Sequence, residues 1–412
     1  MKPFGLKARP TILFASEMRA GISGNLLRIR DRMVERGLDE LFDLRYHFRT
    51  VDMVTAEGTA TLRAEFMNAD IVLIDDHFPL LRELKVPEET RLIQVWHAGS
   101  GFKSVGYSRF GNYGSPKLDD THRKYTFAIT GSKHLVPVYS EVFGIPPEAI
   151  IPTGLPRVDT FLDPERAERV KAAFTQAHPQ FEGKKKVLFA PTFRGRGVDS
   201  AFYDYSKLNF ERLYEACGDE YVLLFRMHHF VSEPVPIPEE YADRMFDFSH
   251  FPDTNDLLHS IDLLVTDYSS IIYEFSLLNR PMIFFAYDRD LYSATRGFHR
   301  DYDEMAPGPV CLTSEELASV LESGEFQEEK IERFRTENFD HIDTHSADRV
   351  IDQLIINDPR TSVEVIQARV IDARRLALAQ RLAAEQTAAD WPEHEGARRA
   401  LEALEAEGLD QV

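Results

Sequence analysis

Residues 261–265, Ile-Asp-Leu-Leu-Val, run into Thr266-Asp267-Tyr268-Ser269-Ser270-Ile271-Ile272-Tyr273-Glu274. An apolar β run that breaks into an acid and two adjacent hydroxyls, then resumes as a helix, presents backbone N–H groups and serine side chains at a helix N-terminus. That is where an open α/β sheet takes phosphate. The same residues also serve as ordinary helix caps, with Asp267 or Ser269 satisfying orphan amides. The rest of the chain decides between the two uses.

Strand and helix alternate on both sides of this stretch. Thr11 to Ser16 reads as a buried strand, followed by a helix-compatible segment from Gly24 to Arg36. Further strands are expected at Leu41 to Phe48, Ile71 to Ile74, Leu92 to Trp96 and Phe127 to Thr130. A second series follows the turn-rich stretch Ile151 to Arg157, with strands at Lys186 to Ala190, Tyr221 to Phe225, Leu263 to Thr266 and Met282 to Phe285. Helices are expected at 206–217 and 270–278. Strands separated by helices imply parallel sheets, so the fold class is α/β: two facing, Rossmann-like doubly wound domains over 1–155 and 156–355 with a cleft between them. From Thr361 the chain turns rich in Ala, Arg and Glu with helical spacing, so 356–412 is expected to be a helical tail. Its apolar stripe would pack on the body or pair with a second copy, or touch a membrane surface.

Bulk properties fit this reading. At 412 residues the chain exceeds one ordinary domain of about 150 residues. No apolar run approaches the roughly 20 residues that span a bilayer. The first ten residues contain no sustained apolar segment before a small-residue cleavage site, and Cys217 and Cys311 have neither metal-ligand nor redox spacing, so a cytoplasmic protein is expected. A formal charge of −20 argues against a nucleic-acid partner, which would need basic surface. It leaves room for a small anionic substrate held by a few convergent cations.

Those cations lie at strand ends. After Leu92 to Val95 comes Trp96-His97-Ala98-Gly99-Ser100-Gly101-Phe102-Lys103. Glycines such as Gly99 let backbone amides approach a ligand, His97 offers proton transfer, and Lys103 neutralises phosphate. In the second series Thr192, Arg194 and Arg196 follow one strand, and Arg226 and His228, two residues apart and so on one face of an extended segment, follow the next. With Asp267, Ser269 and Ser270 these make three polar strand ends, which in a parallel sheet form one rim.

Trp96-His97-Ala98-Gly99, Ala190-Pro191-Thr192-Phe193-Arg194, Arg226-Met227-His228 and Thr266 to Ser270, followed by Arg280-Pro281, Tyr287 to Tyr292, Arg296-Gly297-Phe298 and Pro307-Gly308-Pro309, resemble the ordered motifs of the CDP-glycerol glycerophosphotransferase family, the teichoic-acid and capsule polymerases and primases. The resemblance runs from about Thr11 to about Asp352 and is densest over 261–310. Family members commonly carry Gly and then Pro-Leu after Trp-His, whereas Ala98 precedes Gly99 here.

The resemblance implies a GT-B fold and transfer of glycerol phosphate from CDP-glycerol to a hydroxyl of a lipid-linked or growing polyol-phosphate chain, with CMP leaving. CDP-ribitol as donor and a nucleotide-sugar glycosyltransferase remain as alternatives. His97 would be the general base and His228 a second catalytic candidate. Arg226 and His228 would contact the diphosphate, Ser269 and Ser270 its oxygens, Glu274 the ribose, and Thr192 with Arg194 the nucleotide side. No cofactor is required by this scheme. Mg²⁺ is the one ion the sequence would admit, through Asp288 and Asp290, although their place beside Tyr292 favours a structural role. A lipid-linked acceptor implies peripheral contact with the inner face of the membrane.

Overall fold

The computed structural model describes residues 9–97, 102–109, 121–195, 198–358 and 360–388. Twelve strands form two six-stranded sheets, and every pairing is parallel. The first holds β1 (Thr11–Ser16), β2 (Asp43–Phe48), β3 (Ile71–Ile74), β4 (Arg91–Gln94), β5 (Phe127–Ile129) and β6 (Ile150–Ile151), in the order β2-β1-β3-β4-β5-β6. The second holds β7 (Lys185–Phe189), β8 (Tyr221–Phe225), β9 (Met245–Asp247), β10 (Leu263–Thr266), β11 (Met282–Phe285) and β12 (Val310–Cys311), in the order β9-β8-β7-β10-β11-β12. In each sheet the direction of strand addition reverses once, between β1 and β3 and between β7 and β10. In open α/β sheets ligands bind beside such switch points, at the carboxyl ends of the strands.

The central strands are buried along their whole length because helices cover both faces of each sheet. Leu26, Ile29 and Met33 of the helix Gly24–Glu35 cover one face of the first sheet, and Leu62 and Phe66 of the helix Ala56–Asn68 cover the other. In the second sheet Leu213 of Phe210–Cys217 faces Leu317 of Ser314–Ser323 on one side, with Ile272 and Phe275 of Ile271–Leu277 on the other. The short edge strands β6, β9 and β12 have two or three residues each, too few for a hydrophobic period to show in sequence.

The end of the chain returns to the first sheet. Val350, Ile351, Leu354 and Ile355 join its core, and Asp159 accepts the Ser346 and Ala347 N–H groups, both at 2.8 Å. Residues 346–355, assigned from sequence to the second domain, therefore pack with the first. The helix Val363–Ala388 is rooted there through the fully buried Ile366, whereas Leu376 is 61% exposed.

A clasp joins the two halves. Lys103 pairs antiparallel with Phe298, Ser104 N–H donates to the Gly297 carbonyl at 3.2 Å, and His299 N–H donates to the Phe102 carbonyl at 3.1 Å. Phe102, from the loop after β4, is buried in the second half, its ring 5.3 Å from Tyr302 and 5.8 Å from Phe298. Phe102→Ala removes a ring that this socket cannot refill and should destabilise the protein by about 3–5 kcal/mol, read by urea denaturation. An unchanged midpoint would show that the clasp contributes nothing to stability.

Candidate functional site

β7 and β10 lie side by side at the switch point of the second sheet, and their carboxyl ends carry Thr192 and the pair Ser269-Ser270. These residues, with Phe193 and His228, line one side of a cleft of about 390 Å³. Lys103, Ser104 and Val105 bring the first half to its other side, and Tyr292 and Arg296 complete it. Three expected rim residues, Thr192, Ser269 and Ser270, thus meet His228 and Lys103 in one cavity.

Two of its cations are unspent. Among the described residues neither Lys103 nor Arg296 has a carboxylate partner, and the Arg296 guanidinium makes one hydrogen bond, to the Gly195 carbonyl at 3.2 Å. His228 accepts the Phe230 N–H at Nδ1 (3.2 Å), so the neutral ring carries its proton on Nε2. Burial pushes its pKa down to about 4, helped by the neighbouring His229 and Lys103. The ring is therefore neutral at pH 7 and offers an N–H donor. A small cavity with two free cations, an imidazole N–H and two serine hydroxyls suits a diphosphate.

Arg194 and Asp267 lie beneath this rim. Asp267 is fully buried and accepts the Thr192 N–H at 2.8 Å and its hydroxyl at 3.0 Å, as well as the Tyr268 N–H. Arg194 donates to Asp267 at 2.9 Å and to both carboxylate oxygens of Asp288, at 2.6 and 2.8 Å. It is ringed by Tyr203, Tyr268 and Tyr287 with centroids 5.2–5.7 Å away. The sequence reading set Arg194 against nucleotide and Asp267 against ligand. Instead they neutralise each other, because a buried carboxylate needs a buried cation. Asp288 also accepts the Tyr268 hydroxyl at 2.9 Å, so both its oxygens are engaged within the protein, while Asp290 pairs with Arg289. Among the described residues no group of three or more His, Cys, Asp or Glu side chains is arranged to hold a metal ion.

Arg226 and Glu274 are also spent elsewhere. The Arg226 guanidinium donates to Thr254 Oγ1 at 2.9 Å and to the carbonyls of Phe248 and Phe251 at 3.0 and 2.7 Å, away from the cleft lining. His228 lines the cleft and Arg226 does not, because the turn carbonyls past β9 recruit the guanidinium. Glu274 is 3% exposed, and its Oε1 is ion-paired with Arg157 away from the cleft lining. Burial raises its pKa against the pull of Arg157. Gly99 and Arg196 lie outside the described residues.

His97 stands at the end of β4 in the first half. The backbone at Trp96 is left-handed, with φ 52°, which turns His97 out of the strand line. Asn25 holds that bend: its buried Nδ2 donates to the Val95 and Trp96 carbonyls at 2.8 and 2.9 Å, and its Oδ1 accepts the Arg157 N–H at 2.9 Å. Lys103 follows His97 by six positions, a reach of no more than about 22 Å even fully extended. The sequence reading missed Asn25, Arg157 and Arg296. Arg296 sat within a quoted motif, but nothing distinguishes a buried Asn at the start of a helix from an ordinary cap.

Comparison with known proteins follows the same lines. Residues 2–356 match the family model described as CDP-Glycerol:Poly(glycerophosphate) glycerophosphotransferase. The chain is 38% identical over 86% of its length to the teichoic acid poly(ribitol-phosphate) polymerase of Bacillus spizizenii, covering 57% of that protein. It is 37% identical over 86% of its length to the ribitol-phosphate polymerase TarL of Staphylococcus aureus, covering 64% of it. The chain thus spans roughly three-fifths of these relatives. A solved structure of the wall teichoic acid polymerase TagF shares the fold, with a TM-score of 0.65 at 24% identity over 84% of this chain and 88% of that one.

Two outcomes follow from the site's geometry. Arg226→Ala should lower stability by about 1.5–3 kcal/mol in a denaturant titration, because it strips charged hydrogen bonds from turn carbonyls. A fully stable variant would mean that water replaces the guanidinium at no cost. His228, followed by ¹⁵N NMR in the free protein, should stay neutral down to about pH 4 with its proton on Nε2. A midpoint near the ordinary value of 6.5 would contradict the burial argument.

Proposed function

Since the chain belongs to the CDP-glycerol:poly(glycerophosphate) glycerophosphotransferase family, we propose that it transfers a polyol phosphate from a CDP-activated donor to the terminal hydroxyl of a polyol-phosphate chain. CMP is the leaving group. The cleft between Lys103 and the β7 and β10 strand ends carries this reading, since its unspent cations face hydroxyls and an imidazole N–H. In the proposed arrangement the two sheets face each other as in a GT-B enzyme, with the donor on the second and the acceptor entering from the first.

The chemistry needs little beyond placement and charge. The acceptor oxygen attacks the phosphorus that carries the polyol, and the bond from that phosphorus to the bridging oxygen of CMP breaks. Lys103, Arg296, the His228 Nε2–H and the Ser269 and Ser270 hydroxyls take up charge on the phosphoryl oxygens, while Thr192 borders the nucleotide side. His97 accepts the proton of the attacking hydroxyl at Nε2. His228 is a donor to the diphosphate rather than the base, because its free-protein tautomer already carries the proton on the nitrogen that does not accept Phe230 N–H.

Ribitol is the polyol proposed here. The relatives named for ribitol-phosphate polymers are 36–38% identical to this chain, whereas those named for glycerol-phosphate priming are 29–31% identical. Glycerol, the first expectation, stands as the competing donor. A lipid-linked acceptor would draw the protein to the inner face of the membrane as a peripheral partner. Among the described residues no helix is long and apolar enough to cross one. The exposed helix after Ile366 is a candidate for that contact or for self-association.

Incubation with CDP-ribitol or CDP-glycerol and a short polyol-phosphate primer should release CMP only when primer is present, with the higher kcat/KM for CDP-ribitol. His97→Ala should lose about 10²–10⁴-fold in kcat while keeping donor affinity, and His228→Ala should lose both. CMP release without primer would make the protein a hydrolase. Full turnover by His97→Ala would remove it as the base.

A further inference from the structure

The end of β3 carries two adjacent acids, Asp75 and Asp76, that the reaction above leaves without a role. Their surroundings are specific. The Asp76 backbone carbonyl accepts from the buried Gln94 amide at 2.9 Å, and one carboxylate oxygen accepts the His77 N–H at 2.7 Å. That fixes the other oxygen, Oδ2, 3.2 Å from His97 Nδ1. The Asp75 carbonyl lies 3.2 Å from the same nitrogen, while the Asp75 carboxylate is turned to Arg19 at 2.8 Å.

The Asp75 carbonyl thus accepts from Nδ1, and the Asp76 carboxylate stands beside it at ion-pair distance. In the neutral ring the proton belongs on that nitrogen, and the lone pair is left on Nε2. The ring is held in place besides. The left-handed Trp96, a conformation that a non-glycine residue keeps only when its surroundings impose it, sets its indole 4.7 Å from the imidazole at a tilt of 30°, and Asn25 pins the two carbonyls that define the bend.

We propose that Asp76 is the positioning residue of His97: beside the Asp75 carbonyl that accepts from Nδ1–H, its carboxylate charge favours that tautomer and steadies the imidazolium that forms when Nε2 takes the acceptor proton. The inference rests on the reading of His97 as general base. The charged groups that act on the ring are Asp76 and Asp75 from the end of β3, Arg19 from the loop after β1, and Arg157 from the helix Pro156–Phe161. Burial lowers the His97 pKa, Arg19 and Arg157 act in the same direction, and Asp76 opposes them. The base must be unprotonated to act, so the acid limb of kcat/KM follows the His97 pKa of the free enzyme. Removing the Asp76 charge removes the upward pull, and that limb should move to lower pH even as the maximal rate falls.

The test uses the full chain with CDP-ribitol, CDP-glycerol and primer. Asp76→Asn should lower kcat by at least about 10–100-fold, the loss seen when a carboxylate that orients a metal-bound imidazole is removed, with donor KM unchanged and the acid limb displaced downward. Asp76→Glu, which keeps the charge, should restore the limb and part of the rate. Long-range ¹⁵N NMR of the wild-type ring should find the proton on Nδ1, a readout that does not depend on any variant folding. A folded Asp76→Asn with wild-type kcat and an unmoved limb, beside an inactive His97→Ala, would overturn the inference, as would an Nε2–H ring in the wild type. Activity retained by His97→Ala would instead sink the base reading on which it rests.

Discussion

The buried ion cluster of Arg194 with Asp267 and Asp288 is the constraint on which the donor side of the cleft depends. It ties the end of β7 to the end of β10 and to the loop after β11, three points that backbone pairing no longer holds once the strands stop. Because Asp267 is fully buried, losing its partner would strand a charge in low dielectric, so the cluster survives only as a unit. Its product is a fixed Thr192 and a fixed turn into Ser269 and Ser270. The residues that line the cleft are thereby the neutral or unspent ones, and the strongest local charges are paired one layer below.

A second coupling joins the halves. The chain from His97 to Lys103 begins at the carboxyl end of β4 and finishes with Phe102 locked among Phe298, Tyr302 and Phe284 of the other half. One short segment thus links the proposed acceptor base to a cation in the donor cleft. Arg157 closes the same joint from behind: its N–H is held by the Asn25 that shapes the His97 bend, and its guanidinium reaches Glu274 beside the second sheet. Placement of base relative to phosphate, on which an in-line displacement depends, is governed by this small set of contacts.

The tail shows where local pattern stops being informative. Residues 361–388 carry clear helical spacing, and the helix is there, yet its root belongs to the core of the first sheet through Ile366 while Arg374 to Leu378 and Gln380 to Arg381 lie partly or fully exposed. The preceding residues 346–356 return to the first half by way of Asp159 and the Ser346 and Ala347 amides, a link between positions nearly two hundred apart. Hydrophobic periodicity tells how a segment buries a face. It is silent on which sheet receives it.

What the sequence determined by itself was the sheet architecture and the rim. Short apolar runs separated by helical periods admit little besides parallel sheets, and polar residues directly after them fall at the carboxyl ends, so the strand-end positions of His97, Thr192, His228, Ser269 and Ser270 were legible from spacing alone. Tertiary structure alone decided which charges remain free. Arg194, Arg226, Asp267 and Glu274 carry the residue types that bind phosphate or ribose, but burial obliges each to find a partner within the protein, and those partners, Asp288, the 248–251 carbonyls, Thr192 and Arg157, lie between 22 and 117 positions away or on the opposite edge of a turn. Lys103 and Arg296 stay available because no carboxylate packs against them among the described residues. Long-range packing sets that difference, and no local pattern of residues encodes it.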